Sequence, residues 1–221
     1  MSLKVNCIMF LTVALVICIS LVSALSASKE ISDPTEQLRP FVDKIVSVLT
    51  DPTLQGEKKC FERREKVMMI VRERFDFFEM SKKVLGRQWR KLSVEEKQEF
   101  VDLFTSLLEH AYIGKIEDYS QQKVEFKGQR IKGDRAQVRT LLIDKEVIIP
   151  VSYIMLLKGE KWMVYDIVVE GVSLVRNYLD QFKEILRKDS YASLLKQLQD
   201  KVNELNFSTK PCPTDINTQK S

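Results

Sequence analysis

The chain has 221 residues, of which 44% are hydrophobic and 30% charged, with 35 Lys and Arg against 31 Asp and Glu for a formal net charge of +4. Charges of both signs are interspersed instead of gathered into a basic block, which speaks against nucleic acid as a partner. One histidine, four cysteines and no glycine-rich phosphate loop remove most catalytic and metal-binding templates, so neither a catalytic residue, a cofactor nor a metal is expected.

Lys4 precedes an uncharged apolar run from Cys7 to Leu25, and small residues follow at Ser23, Ala24, Ser26 and Ala27. This pattern reads as a secretory signal peptide over 1–27, cleaved after Ala27 with Ala24 as the alternative. An uncleaved membrane anchor is the rival reading, because a run of that length can span a bilayer. Removing the leader leaves one domain over 28–206 and a polar, proline-containing tail over 207–221 that is read as disordered. Cys60 and Cys212 then remain, too few for a disulfide scaffold. One bridge pinning the tail to an early helix, or a half-buried Cys60 with a free Cys212, are both open.

Asp33-Pro34-Thr35-Glu36 offers an N-cap, a proline at the first helical position and a carboxylate two residues on. Leu38, Phe41, Val42, Ile45, Val46 and Leu49 continue at helical spacing until Asp51-Pro52. A second helix is expected from about Glu57 to Glu79, with Gly86 breaking a shorter piece after it. Ser93-Val94-Glu95-Glu96 is a capping box opening a long helix to Asp118, striped by Phe100, Leu103, Phe104, Leu107, Leu108, Ala111, Tyr112 and Ile116.

From Lys123 the period changes to that of strands: Val124 to Ile131, Arg135 to Ile143, Glu146 to Leu157 and Lys161 to Val169. Gly133-Asp134, Asp144-Lys145 and Gly159-Glu160 separate them, and connections this short require antiparallel neighbours. Pro150 lacks a ladder donor, so the third strand is bent there or lies at an edge. Helical spacing returns after Gly171, and Ser190 caps a final helix carrying Leu194, Leu195, Leu198, Val202 and Leu205. The predicted fold is α+β: a four-stranded antiparallel meander with helices packed on its concave face.

Two titratable groups merit attention. His110 lies at the edge of the long helix's apolar stripe, where a satisfied helical histidine is the plain reading. Asp166, between Tyr165 and Ile167 in a strand, can serve either proton transfer in a pocket or a hydrogen bond to a neighbouring element. The abundant aromatics indicate a core but do not by themselves distinguish a filled core from the lining of a cavity.

Two segments add more: Phe75-Asp76-Phe77 through Leu85-Gly86-Arg87-Gln88-Trp89 into Phe100, Phe104, Leu107 and Tyr112, and Tyr165-Asp166-Ile167-Val168-Val169-Glu170-Gly171-Val172-Ser173. Both resemble the MlaC, or toluene-tolerance, family of periplasmic phospholipid-binding proteins, with the likeness extending from about Ile31 to Leu205. Cys60, Cys212 and the tail belong to no family pattern. The resemblance implies a periplasmic, monomeric carrier with a cone-like apolar pocket. Its partners would be a phospholipid, an inner-membrane lipid-transport ABC complex and an outer-membrane lipid-transfer complex. Phe104, Leu107, Val151, Tyr153, Met155, Trp162, Val164 and Val172 are the inward lipid-binding candidates it suggests, and Arg87, Arg90 and Lys91 are candidates for the headgroup or a partner. The competing readings are a pocket enzyme of the nuclear-transport-factor-like type acting through Asp166, and a packed-core periplasmic adaptor.

Overall fold

The computed structural model describes residues 33–118, 123–144 and 147–208. The signal-peptide reading, the far end of the tail and Cys212 lie outside the described residues. The helices are α1 (Pro34–Thr50), α2 (Cys60–Arg74), α3 (Phe77–Leu85) and α4 (Val94–Asp118), then α5 (Leu174–Lys188) and α6 (Tyr191–Ser208) after the sheet. The strands are β1 (Lys123–Lys132), β2 (Arg135–Asp144), β3 (Val147–Lys158), β4 (Lys161–Val169) and β5 (Val172–Ser173). Helix α6 thus runs two residues past the expected domain end at 206.

The predicted caps form as the sequence dictates. Asp33 accepts from the amides of Thr35 at 2.8 Å and Glu36 at 3.2 Å. The capping box closes reciprocally, the Glu96 amide donating to Ser93 Oγ at 3.1 Å and the Ser93 amide to Glu96 Oε2 at 2.8 Å. The Ser193 amide donates to Ser190 Oγ at the start of α6.

The expected single helix from Glu57 to Glu79 is instead two. Phe75 takes an extended conformation and forms a parallel bridge with Val164, and the Asp76 amide donates to the Val164 carbonyl at 2.8 Å. Asp76 then restarts the chain as α3, accepting from the Glu79 amide at 3.0 Å and forming an ion pair with Lys158 of β3. Helical periodicity persists across this break, and only the pairing with β4 reveals it. Replacing Asp76 with alanine removes a cap and an ion pair together, and chemical denaturation is expected to show a loss of about 1–2 kcal/mol, with Asp76→Asn losing less.

The strands pair consecutively and antiparallel in the order β1-β2-β3-β4-β5. The expected four strands become five because the chain turns back after β4. Glu170 and Gly171 both have positive φ, 51° and 83°, which defines the two-residue hairpin turn that sends Val172 and Ser173 alongside Val169 and Val168. Pro150 lies where β3 outruns the end of β4; its carbonyl accepts from the Glu170 amide at 3.0 Å, and no ladder donor is required of its nitrogen. An extra residue, Tyr165, bulges β4 between the pairs Ile154–Asp166 and Met155–Val164.

The sheet curls around the start of α1. Thr35 bonds Gln129 of β1, and Gln37, two residues later, accepts from the Trp162 amide of β4 at 2.9 Å. Strands β1 and β4 are separated by β2 and β3, roughly 14 Å in a flat sheet, so one helical turn reaches both only if the sheet is concave toward α1. Helix α2 lies on the same side, against β4.

Two apolar clusters result. One joins α1 and α2 to the concave sheet face through Leu38, Phe41, Val67, Val138, Met155, Trp162 and Val164. The other is formed by α3 to α6 around Met80, Phe100, Phe104, Phe182, Leu194 and Leu198. In α3, Ser81 is fully buried and its hydroxyl has no hydrogen-bond partner. Ser81→Ala deletes this unsatisfied group and improves helix propensity, so equilibrium unfolding is expected to show a gain of about 1 kcal/mol.

Candidate functional site

The alternation of β3 sends Val151, Tyr153 and Met155 to the concave face, opposite Thr140, Val138 and Ala136 of β2. Trp162 and Val164 of β4 join them on that face, paired with Leu157 and Met155. Met155 and Val164 are fully buried, Trp162 and Val151 nearly so, while Tyr153 is half-buried. Burial pushes the Tyr153 phenol up to about 12, partly offset by its hydrogen bond with Thr140, so the group stays neutral across physiological pH.

Phe104 and Leu107 belong to the other cluster. The Phe104 ring packs against Tyr178, Phe100 and Phe182 with centroids 5.2, 5.7 and 5.8 Å away. The Tyr178 hydroxyl bonds that of Tyr112, and burial raises both phenols above their usual range. Val172 departs from the expected inward placement. It sits on the edge hairpin with 64% of its surface exposed, because the Glu170-Gly171 turn carries it beyond the end of the helices that cover the sheet.

The seam between the clusters is made by Phe75 and Phe77, which pack against both. Phe75 stacks with Phe77 at 6.0 Å and meets Phe41 of α1 at 5.9 Å. These two phenylalanines hold the central position because the helix breaks between them, a break that helical periodicity conceals. Ile113 of α4 and Val138 of β2, also absent from the predicted set, complete the sheet-side wall; strand alternation contained the signal for Val138, whereas Ile113 lies off the predicted stripe of its helix.

The polar candidates have structural partners. Asp166 is buried, its carboxylate accepting from Ser173 Oγ at 2.6 Å and from the Val175 amide at 2.9 Å. Ser173 Oγ in turn accepts from the Arg176 amide at 2.9 Å, so the pair anchors the start of α5 to β4. His110 Nδ1 lies 2.6 Å from the Ser106 carbonyl one turn back in its own helix, a contact that places the proton on that nitrogen. Arg87, Arg90 and Lys91 are exposed around the short helical turn that buries Trp89. Among the described residues no group of three His, Cys, Asp or Glu side chains can hold a metal ion. A hollow along α1, lined by Glu36, Arg39, Pro40, Asp43, Lys44 and Ser47, is open to solvent and ringed by charges of both signs, and does not suit an acyl chain.

Fold and site together define an α+β protein in which helices roof a concave antiparallel sheet and an aromatic seam divides the apolar interior. The family model described as MlaC protein matches residues 39–200, and the chain belongs to the MlaC family. The chain is 29% identical over 128 residues to the intermembrane phospholipid transport system binding protein MlaC of Haemophilus influenzae, a match covering 55% of this chain and 60% of that protein. The chain therefore spans about three-fifths of the length of the curated relative it matches. A phospholipid-binding protein from Ralstonia solanacearum, solved in complex with a phospholipid, superposes with a TM-score of 0.69 and 26% identity, covering 79% of this chain and 99% of that one.

Proposed function

We propose that this protein is a periplasmic phospholipid carrier, exported by a cleaved leader over 1–27. It holds acyl chains between the concave sheet face and the helices and works without chemistry of its own. The observation that carries this reading is the seam at Phe75 and Phe77, whose rings pack against both apolar clusters. Hydrocarbon lying beside these rings would meet apolar surface from both clusters, while the Asp76 carboxylate stays engaged with Lys158 and the start of α3. Family membership and the phospholipid bound by the Ralstonia protein support the same ligand class.

The energetics suit a carrier. At ~0.8 kcal/mol per methylene, two chains of about 15 methylenes represent a gross ~24 kcal/mol relative to water. In a membrane those chains are already out of water, so transfer between bilayer and protein is close to balanced, and the carrier can both load and unload. The charged headgroup stays at the surface, where burial costs it nothing; exposed Arg87, Arg90 and Lys91 are available to it or to a partner. The inner-membrane ABC complex and the outer-membrane lipid-transfer complex are the partners this role calls for.

Lipid extraction and mass spectrometry of the natively purified protein test the reading. Co-purifying phospholipid in substoichiometric to equimolar amount is the expected result. Protein that is repeatedly empty and takes up no phospholipid from vesicles would overturn it. The pocket-enzyme alternative loses its principal support because the Asp166 carboxylate is engaged in anchoring α5.

A further inference from the structure

Cys60, the first residue of α2, is buried and disulfide-bonded. The other cysteines of the chain are Cys7, Cys18 and Cys212. With the leader removed only Cys212 remains in the mature chain. We infer that Cys60 pairs with Cys212 and that this bond ties the end of α6 to the start of α2.

The described helices bring the two ends together. Helix α6 begins beside the beginning of α4, where the Tyr191 hydroxyl donates to the Glu96 carbonyl at 3.2 Å. Leu194, Leu198 and Val202, at successive turns of α6, are all buried in one cluster with Phe100, Phe104, Leu107 and Leu108 of α4. A stripe that stays buried over this length requires α6 to run alongside α4 in the same direction. At ~1.5 Å per residue its 18 residues span about 27 Å, which brings its end level with the last turns of α4. There, Glu117 of α4 accepts from Arg63 at 2.8 Å and from Arg64 at 2.9 Å, and both arginines lie within the first turns of α2. Arg63 also donates to the Leu54 carbonyl at 2.7 Å, fixing this corner. Cys60 is one turn before Arg64, and the four residues from 209 to 212 reach up to roughly 14 Å beyond Ser208.

The bond joins α6, a member of the helical cluster, to α2, a member of the sheet-face cluster. It therefore limits how far the two clusters can separate at this end; the bearing of that limit on lipid exchange rests on the carrier reading, whereas the bond itself rests only on export and removal of the leader. Two thiols form one S–S bond by thiol–disulfide exchange, losing two protons and two electrons to a protein disulfide that is reduced to a dithiol. The oxidising compartment implied by an exported chain permits this.

Peptide mapping of the full exported chain without reduction, after blocking free thiols, tests the pairing. The expected product is one linked species containing Cys60 and Cys212, replaced on reduction by two separate peptides. Thermal unfolding supplies the second readout. The long loop closed by this bond places it at the upper end of the chain-entropy effect, so Cys60→Ser with Cys212→Ser, or reduction of the parent, is expected to lower Tm on the order of 10 °C. A Cys60 that alkylates before reduction, a link from Cys60 to any other cysteine, or a Tm unchanged by reduction would each overturn the proposal. None of these readouts depends on lipid, so failure here is separable from failure of the carrier reading.

Discussion

Phe104→Ala is expected to destabilise the fold by about 3–5 kcal/mol, the range for removing a buried ring from a packed core. The Phe104 side chain has no exposed surface and touches three other rings, so truncation leaves a void that helices α4 and α5 can close only in part. For a domain of this size each kcal/mol moves Tm by about 2–4 °C, giving a fall on the order of 10 °C. Urea unfolding of lipid-stripped and lipid-loaded protein should show the same loss. A loss below ~1 kcal/mol in stripped protein would mean that the ring fronts open space instead of other rings. This separates Phe104, held in the helical cluster, from Tyr153, which is half-buried at the edge of the sheet-face cluster.

Asp166→Ala should cost about 3 kcal/mol, because it removes two hydrogen bonds to a buried charged acceptor and leaves the Val175 amide without its partner. Asp166→Asn should cost about 1 kcal/mol, since an amide oxygen can still accept from Val175 and its NH2 can donate to Ser173 Oγ. The ordering Ala far worse than Asn, read by chemical denaturation, identifies Asp166 as an anchor for α5. Equal losses for the two variants would instead show that the negative charge, not the acceptor geometry, is what the site requires.

Much of the scaffold was legible because local rules and tertiary structure agree. The capping box at Ser93, the Asp33 cap and the short turns at Gly133 and Gly159 each carry their own geometry, and the structure repeats them. The helix break at Phe75 was not legible, because Phe61, Val67, Ile70, Val71, Phe75 and Phe78 keep an unbroken helical apolar pattern. Pairing with Val164, some ninety residues away in sequence, overrides it. The same break conceals the seam, since Phe75 and Phe77 reach both clusters only once the helix has ended. Val172 was misplaced for a related reason: alternation gives the face of a strand but not where the covering helices stop. The bulge at Tyr165 puts Tyr165 and Asp166 on the same face and returns Ile167 to the sheet-face cluster with Val164, a shift that alternation alone does not foresee.

On the proposed carrier reading, acyl chains lie between the concave sheet face and the helices, beside Phe75 and Phe77. Loading the protein with a phospholipid carrying a photoactivatable diazirine midway along an acyl chain, irradiating it and mapping the adducts by mass spectrometry tests this directly. Adducts are expected to concentrate on Phe75, Phe77, Tyr153, Met155 and neighbouring residues of that face. Adducts confined to exposed apolar side chains such as Phe61, Met69 and Ile148 would contradict it.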